Sequence, residues 1–87
     1  MTSREDVLAW INAERDRQAA KWGHAHAWGC GDCSSDAVPD PVKAAVLAEE
    51  CGEVARAVLD RNGPGGLRTE LIQVAAVAVA WLEGLNR

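Results

Sequence analysis

The stretch from Leu71 to Leu82, LIQVAAVAVAWL, contains a single polar residue, Gln73. It is too short to cross a membrane as a helix, which takes about 20 apolar residues. A helix that is apolar all round is buried on more than one side, and we predict such a helix over residues 67–85. Two other helices in a chain of 87 residues cannot cover it on every side. We therefore expect a homodimer or homotetramer whose interface is this helix.

A first helix is predicted near the N-terminus. Thr2 and Glu5 have the spacing of a capping box, in which each side chain satisfies the other residue's backbone N–H, so the helix should begin at or close to Ser3. It should continue to about Lys21, before Gly23. One stripe at helical spacing contains Val7, Trp10, Ile11, Glu14 and Gln18.

A second helix is predicted over residues 41–60, with Asp40 as its N-cap and Pro41 at the first helical position. The run Asn62–Gly66 ends this helix and is too short for anything except an antiparallel helical hairpin. A rotation of about 100° per residue sorts the second helix into two faces. One face carries Leu47, Cys51, Val54, Ala55 and Val58, and the other carries Glu49, Glu53 and Arg56, with Glu50 at the border.

These patterns predict a single all-α domain over residues 1–87, a helical bundle of about three main helices whose core is completed by oligomerisation. The net charge of −4, from 13 acidic and 9 basic side chains, argues against binding to nucleic acid or to an anionic membrane. The polar N-terminal sequence has no apolar run of the signal-peptide type, so we expect a cytoplasmic protein.

The carboxylates of the second helix are the first candidate for a functional site. Glu49, Glu50 and Glu53 are neighbours at helical spacing, and their like charges repel. Mg²⁺ removes such repulsion because it prefers oxygen ligands. In an antiparallel hairpin Glu70 lies roughly level with Glu53, on a stripe that should pack inward. The alternative is a solvated acidic face with an ordinary Glu53–Arg56 ion pair.

The loop between the first two helices contains residues of the types that bind zinc. His24, His26, Cys30 and Cys33 lie within a short segment, and C-x-x-C is a common half-site. A structural Zn²⁺ would order a loop of low apolar content. The alternative is a polar loop with incidental cysteines.

Three segments carry a family resemblance. Residues 48–57, AEECGEVARA, resemble the E-E-x-x-E signature of the all-α nucleoside triphosphate pyrophosphohydrolases, the MazG-like and dimeric dUTPase superfamily. Residues 69–74, TELIQV, match the second signature, E-x-x-D, except that Gln73 stands in place of the aspartate. Residues 14–23, ERDRQAAKWG, resemble the first helix of phage-type MazG-like proteins.

The resemblance implies a four-helix-type core completed by a second subunit. It also implies cleavage of an NTP or dNTP between the α- and β-phosphates, dependent on Mg²⁺ or Mn²⁺, which yields a monophosphate and pyrophosphate. By position, Glu50, Glu53 and Glu70 would be metal ligands, and Glu49 a nearby ligand or a base that orients water. Gln73 would be a neutral ligand or would lie just behind the ligands.

The superfamily resemblance also implies contacts to the substrate, because the region after the first helix borders the pocket. Arg17 and Lys21 would contact phosphates, Trp22 or Trp28 would stack on the base, and His24 would contact a phosphate or the sugar. The simpler alternatives are solvated cations and, for Trp22, packing in the core. The preferred base and sugar do not follow from the sequence.

Two other functions remain open. One is a non-catalytic helical module that binds nucleotides or a protein partner, with zinc ordering its loop. The other is a purely structural dimerisation domain. Only an enzyme would release pyrophosphate from a nucleotide in the presence of Mg²⁺, so this measurement distinguishes the enzymatic function from the other two.

Overall fold

The computed structural model describes residues 2–60 and 64–85. Three helices dominate it, and a two-stranded antiparallel hairpin lies in the connection between the first two. The elements are α1 (Arg4–Trp22), β1 (Ala25–His26), β2 (Gly29–Cys30), α2 (Asp40–Asp60) and α3 (Pro64–Leu85). The predicted all-α fold with three main helices is confirmed.

The starts of all three helices differ from the prediction. Helix α2 begins at Asp40, so Asp40 is not its N-cap and Pro41 is not its first residue. The capping box of α1 is formed by Ser3 and Asp6, not by Thr2 and Glu5: Ser3 Oγ accepts from the Asp6 N–H at 3.1 Å, and Asp6 Oδ2 accepts from the Ser3 N–H at 3.3 Å. Both pairs have the same spacing, so the sequence pattern alone did not separate them. Helix α3 begins at Pro64, earlier than predicted, because proline is favoured at the first helical position. The rest of the predicted turn, at residues 62 and 63, lies outside the described residues.

Helix α3 is the centre of the fold. It packs against both α1 and α2, whereas α1 and α2 have few direct contacts with each other. Ala76 and Ala80 of α3 are completely buried, and Val77 beside them is nearly so. Small side chains at these contacts let the neighbouring helices approach closely. The apolar stretch that predicted a helix buried on more than one side therefore lies in the middle of the molecule.

Helices α2 and α3 form the predicted antiparallel hairpin. Near one end, Lys43 Nζ lies 3.4 Å from the position that a Cβ atom would take at Gly84, and near the other end Glu53 lies beside Glu70. The inward side of α2 differs from the predicted apolar face. Lys43 and Ala57 are buried and Glu50 is half-buried, while Cys51, Ala55 and Val58 are exposed.

The connection between α1 and α2 is folded tightly on itself. In the hairpin, Ala25 pairs with Cys30 and His26 with Gly29. Gly29 has a φ of 143°, which only glycine adopts readily, and a Cβ atom there would collide with the backbone carbonyl oxygen of Ala37. Val38, at the end of this segment, is buried. None of the described helices is long and apolar enough to cross a membrane.

We expect Gly29→Ala to lower the free energy of unfolding by about 1–3 kcal/mol, because the substitution forces an alanine into a strained backbone conformation and against Ala37. Urea denaturation measures this change. Gly52→Ala is the matched control. Nothing lies within 4 Å of a Cβ atom at Gly52 in α2, so alanine there should stabilise the chain by about 0.5–1 kcal/mol. Equal midpoints for Gly29→Ala and wild type would contradict the close approach at Ala37.

Candidate metal centre

Three carboxylates from two helices converge at one point. One oxygen from each of Glu50 and Glu53 on α2 and Glu70 on α3 lies within 4.8 Å of the other two. Among the described residues, no other group of three or more histidine, cysteine or acidic side chains comes this close together. The prediction that Glu70 lies level with Glu53 in the hairpin is confirmed. We call Glu50, Glu53 and Glu70 the carboxylate cluster.

The cluster is electrostatically unfavourable as it stands. Burial raises the pKa of Glu50 above its usual range, and the charges of Glu53, Glu70, Glu49 and Glu14 raise it further. Burial also raises the pKa of Glu70, with a hydrogen bond to Glu53 and the charge of Glu53 acting in the same direction. A hydrogen bond between two carboxyl groups requires a proton. Glu50 and Glu70 therefore hold a proton more readily than an isolated glutamate does.

Gln73 belongs to the same group of side chains. With its amide nitrogen turned toward the carboxylates, it donates to Glu50 Oε2 at 3.2 Å and to Glu70 Oε2 at 3.0 Å. The two N–H groups satisfy carboxylate oxygens without adding a charge. The opposite orientation of the amide presents its oxygen to the same space, where it can act as a neutral ligand to a cation.

Glu49 lies beside the carboxylate cluster and shares an open depression with Glu53, but it is not a member of the cluster. It is exposed and, with Gly52 and Leu59, lines this broad depression on the outer side of α2. Its charge raises the pKa of Glu50, but its carboxylate oxygens do not converge with those of Glu50, Glu53 and Glu70. Arg56, which borders the same depression, pairs with Asp60 at 3.2 Å. The cluster is thus not the ordinary Glu53–Arg56 ion pair that the sequence allowed.

Helix α1 contributes an ion pair that the sequence analysis did not single out. Glu14 accepts from Arg17 Nε at 2.7 Å and from Arg17 Nη2 at 2.6 Å, and Gln18 Nε2 donates to it at 3.3 Å. The hydrogen bond from Arg17 holds the pKa of Glu14 below its usual range even though burial acts in the opposite direction. Both charges are close enough to act on Glu50. The spacing of three residues between Glu14 and Arg17 was the available signal.

The other residues predicted to contact substrate gather around His26. Lys21 Nζ lies 5.2 Å from the centre of the Trp22 ring, and Trp22 meets His26 edge-on at 5.5 Å between ring centres. His24 and Trp28 lie 6.1 Å and 6.2 Å from His26. Trp28 is 59% exposed, so most of its indole is open to solvent. We call Trp22, His24, His26 and Trp28 the aromatic group.

The structure does not assemble the predicted zinc ligands. His24, His26, Cys30 and Cys33 do not form a convergent group within the described part of the chain. His26 uses both ring nitrogens locally: Nε2 lies 2.8 Å from the Gly31 carbonyl oxygen, and Nδ1 accepts from the Trp28 N–H at 3.3 Å. Burial raises the pKa of the Cys33 thiol, and the charge of Asp32 adds to this, which disfavours the thiolate that binds zinc. The loop is ordered by hydrogen bonds and an ion pair instead.

Comparison of the chain with protein-family models, with curated proteins and with solved structures finds no match. The chemical capacity of the site follows from its own residues. Three carboxylates on two helices offer the oxygen ligands that a hard divalent cation prefers. Arg17 and Lys21 on the neighbouring helix offer positive charge for an anionic ligand.

We expect Glu50→Gln to raise the free energy of unfolding at pH 7 by about 0.5–1 kcal/mol, because it removes repulsion from several like charges. The pKa of Glu50 is higher in the folded chain than in the unfolded chain. Its ionised form therefore destabilises the fold fully above the folded pKa, and this effect disappears as the pH falls toward the ordinary value of 4.5. Urea denaturation at pH 7 and pH 4 should show the gain only at pH 7.

Asp16→Asn is the control for Glu50→Gln, because it removes one negative charge from an exposed position on α1. It should change the free energy of unfolding by less than about 0.5 kcal/mol at either pH. A Glu50→Gln variant that is less stable than wild type at pH 7 would contradict the repulsion.

Proposed function

We propose that this chain is a MazG-like nucleoside triphosphate pyrophosphohydrolase that depends on Mg²⁺ or Mn²⁺. It cleaves an NTP or dNTP to the monophosphate and pyrophosphate. The observation that carries the proposal is the convergence of Glu50 and Glu53 with Glu70 across an antiparallel hairpin. These are the residues that the two signatures, read in order, assign to the metal.

The donor set fits a hard divalent cation. Glu50, Glu53 and Glu70 would hold the metal, and the burial and repulsion that raise the pKa values of Glu50 and Glu70 are costs that a bound cation relieves. Gln73 contacts two of these carboxylates and either joins them as a neutral ligand or holds them in place. When bound, the metal would neutralise charge on the substrate phosphates and on the departing pyrophosphate.

The chain's other residues would orient the reactants. Glu49 is exposed beside the cluster and can accept a proton from an attacking water. Arg17 and Lys21 would contact the triphosphate. Arg17 is paired with Glu14, but its side chain is 53% exposed, so its guanidinium has room to exchange that carboxylate for a phosphate. The exposed indole of Trp28 would stack on the base, with His24 next to the sugar or a phosphate.

A second copy of the chain would complete the fold. Leu71, Leu82 and Leu85 on α3 are each at least half exposed, at 50%, 58% and 64%. The accessible surface of the chain is 5839 Å². A folded monomer of 9.3 kDa exposes about 5,000 Å². The excess is on the order of the 800 Å² that each partner buries in a standard interface. We therefore propose a homodimer or homotetramer through α3 in a cytoplasmic protein whose cysteines stay reduced.

The enzymatic proposal is tested on a full panel of NTPs and dNTPs with Mg²⁺, with release of pyrophosphate as the readout. We expect turnover of at least one nucleotide. Glu53→Gln should lower kcat/KM by about 100-fold or more, because losing a ligand costs at least as much as losing one of its supporting contacts. Asp16→Asn, the exposed control on α1, should retain wild-type activity. No pyrophosphate from any nucleotide would refute the enzymatic function.

Gln73→Asp should tighten Mg²⁺ binding by about 10-fold, because a carboxylate replaces a neutral amide beside Glu50 and Glu70. Isothermal titration calorimetry with the metal alone measures the change. Asn12→Asp adds the same charge at an exposed position of α1 and should leave Mg²⁺ affinity unchanged. Unchanged or weaker binding in Gln73→Asp would show that this residue does not contact the metal.

A further inference from the structure

A single side chain, Arg15 of α1, ties the loop between α1 and α2 to two helices. Its Nη1 donates to Asp32 Oδ2 in the loop at 2.9 Å, and its Nη2 donates to Glu83 Oε2 near the end of α3 at 2.5 Å. The side chains of Arg15 and Asp32 are only 12% and 9% exposed. Ion pairs this shielded are weakly screened by salt and geometrically specific.

Asp32 is held equally firmly from within the loop. Its Oδ1 accepts from the Ser34 N–H at 2.9 Å and from the Ser34 hydroxyl at 2.6 Å, while its Oδ2 accepts from Arg15. Burial alone would raise the pKa of Asp32, but the hydrogen bonds from Ser34 and Arg15 outweigh it and hold the pKa below its usual range. Asp32 is therefore charged at neutral pH.

The hydrogen bonds of the loop continue from Asp32 to the aromatic group. The next residue back, Gly31, donates its N–H to the His24 carbonyl at 3.1 Å, and its own carbonyl lies 2.8 Å from His26 Nε2. His26 in turn accepts from the Trp28 N–H. On the other side, the Ser34 carbonyl oxygen lies 2.9 Å from the Cβ position of Gly84 in α3. A continuous series of hydrogen bonds thus links the residue next to Asp32 to His24, His26 and Trp28.

Arg15 Nε is buried and has no hydrogen-bond partner among the described residues, which is unfavourable. Its partner Glu83 lies far from the carboxylate cluster, about 20 Å from Glu70 along α3 at 1.5 Å per residue, and Arg15 is not among the charges that act on Glu50. Arg15 can therefore influence the loop without altering the three carboxylates.

We propose that Arg15 is a positioning residue that sets the aromatic group against the nucleotide and so governs substrate affinity rather than the chemical step. This inference rests on the proposed function, because it takes Trp28 and His24 as the residues that contact the nucleotide. Arg15 acts through Asp32 and the loop and touches no substrate itself.

Arg15→Lys tests the inference, because one ammonium group keeps the charge but cannot form both arms of the planar fork. We expect KM for the best nucleotide of the panel to rise about 10-fold or more while kcat stays within about twofold, since misplaced substrate contacts weaken binding first. Mg²⁺ affinity without nucleotide should be unchanged. Amide hydrogen exchange should accelerate in residues 24–36 and not in α2 or α3. Asp32→Asn, which breaks the pair from the loop side, should reproduce the pattern.

Arg4→Lys, at an exposed position in the first turn of α1, is the matched control and should leave all readouts at their wild-type values. Unchanged loop exchange in both variants overturns the inference, and so does faster loop exchange with an unchanged KM. If the wild-type chain binds a nucleotide but does not cleave it, the proposed enzymatic function is refuted. The inference about Arg15 is then decided by nucleotide affinity: weaker binding by Arg15→Lys supports it, and unchanged binding overturns it. A wild-type chain that binds no nucleotide overturns both.

Discussion

The close approach of α3 to its two neighbours is the constraint on which the rest of the structure depends. Ala76 and Ala80 have no exposed surface, and Ala57 on α2 is buried opposite this helix. Alanine at a helix contact shortens the distance between the helix axes toward the lower end of the usual 8–10 Å. Because α2 lies this close to α3, Glu50 and Glu53 on α2 come within reach of Glu70 on α3.

The close approach of α2 and α3 has two opposing effects on the stability of the hairpin. The apolar contacts of α3 favour the hairpin, whereas the meeting of Glu50, Glu53 and Glu70 disfavours it. A sequence selected for stability alone would replace at least one of these three carboxylates with a neutral or basic side chain. The repulsion is screened least at Glu50, because this carboxylate is half-buried.

Much of the fold followed from local patterns in the sequence. The three helices, the hairpin between α2 and α3 and the level of Glu70 all depend on helical periodicity and on chain connectivity, both of which are readable from spacing. The capping residue of α1 was wrong by one position because Thr2–Glu5 and Ser3–Asp6 have the same pattern. The inward face of α2 was also not foreseen. Half-buried Glu50 lies where hydrophobicity predicts a surface, because Gln73 and Glu70 of α3 face it. Lys43 is buried next to Gly84 of the same helix α3.

Only the parts of the site that depend on residues close together in the sequence could be predicted. Arg15 meets Asp32 and Glu83 across 17 and 68 residues of sequence, and no periodicity links such distant positions. The zinc-type residues show the reverse case, in which closeness in sequence does not bring the side chains together. Their spacing suggested a shared ligand, but the φ values of Gly29 and Gly31 turn the loop so that His26 forms hydrogen bonds with the loop's own backbone.

Gln73 has a consequence for how the chain reaches its native state. A fourth carboxylate at this position would add one more like charge beside Glu50 and Glu70. The amide instead donates to Glu50 and Glu70, so part of the cluster is satisfied by the protein itself. The hairpin can therefore close with a hydrogen-bond donor from its own sequence facing Glu50 and Glu70.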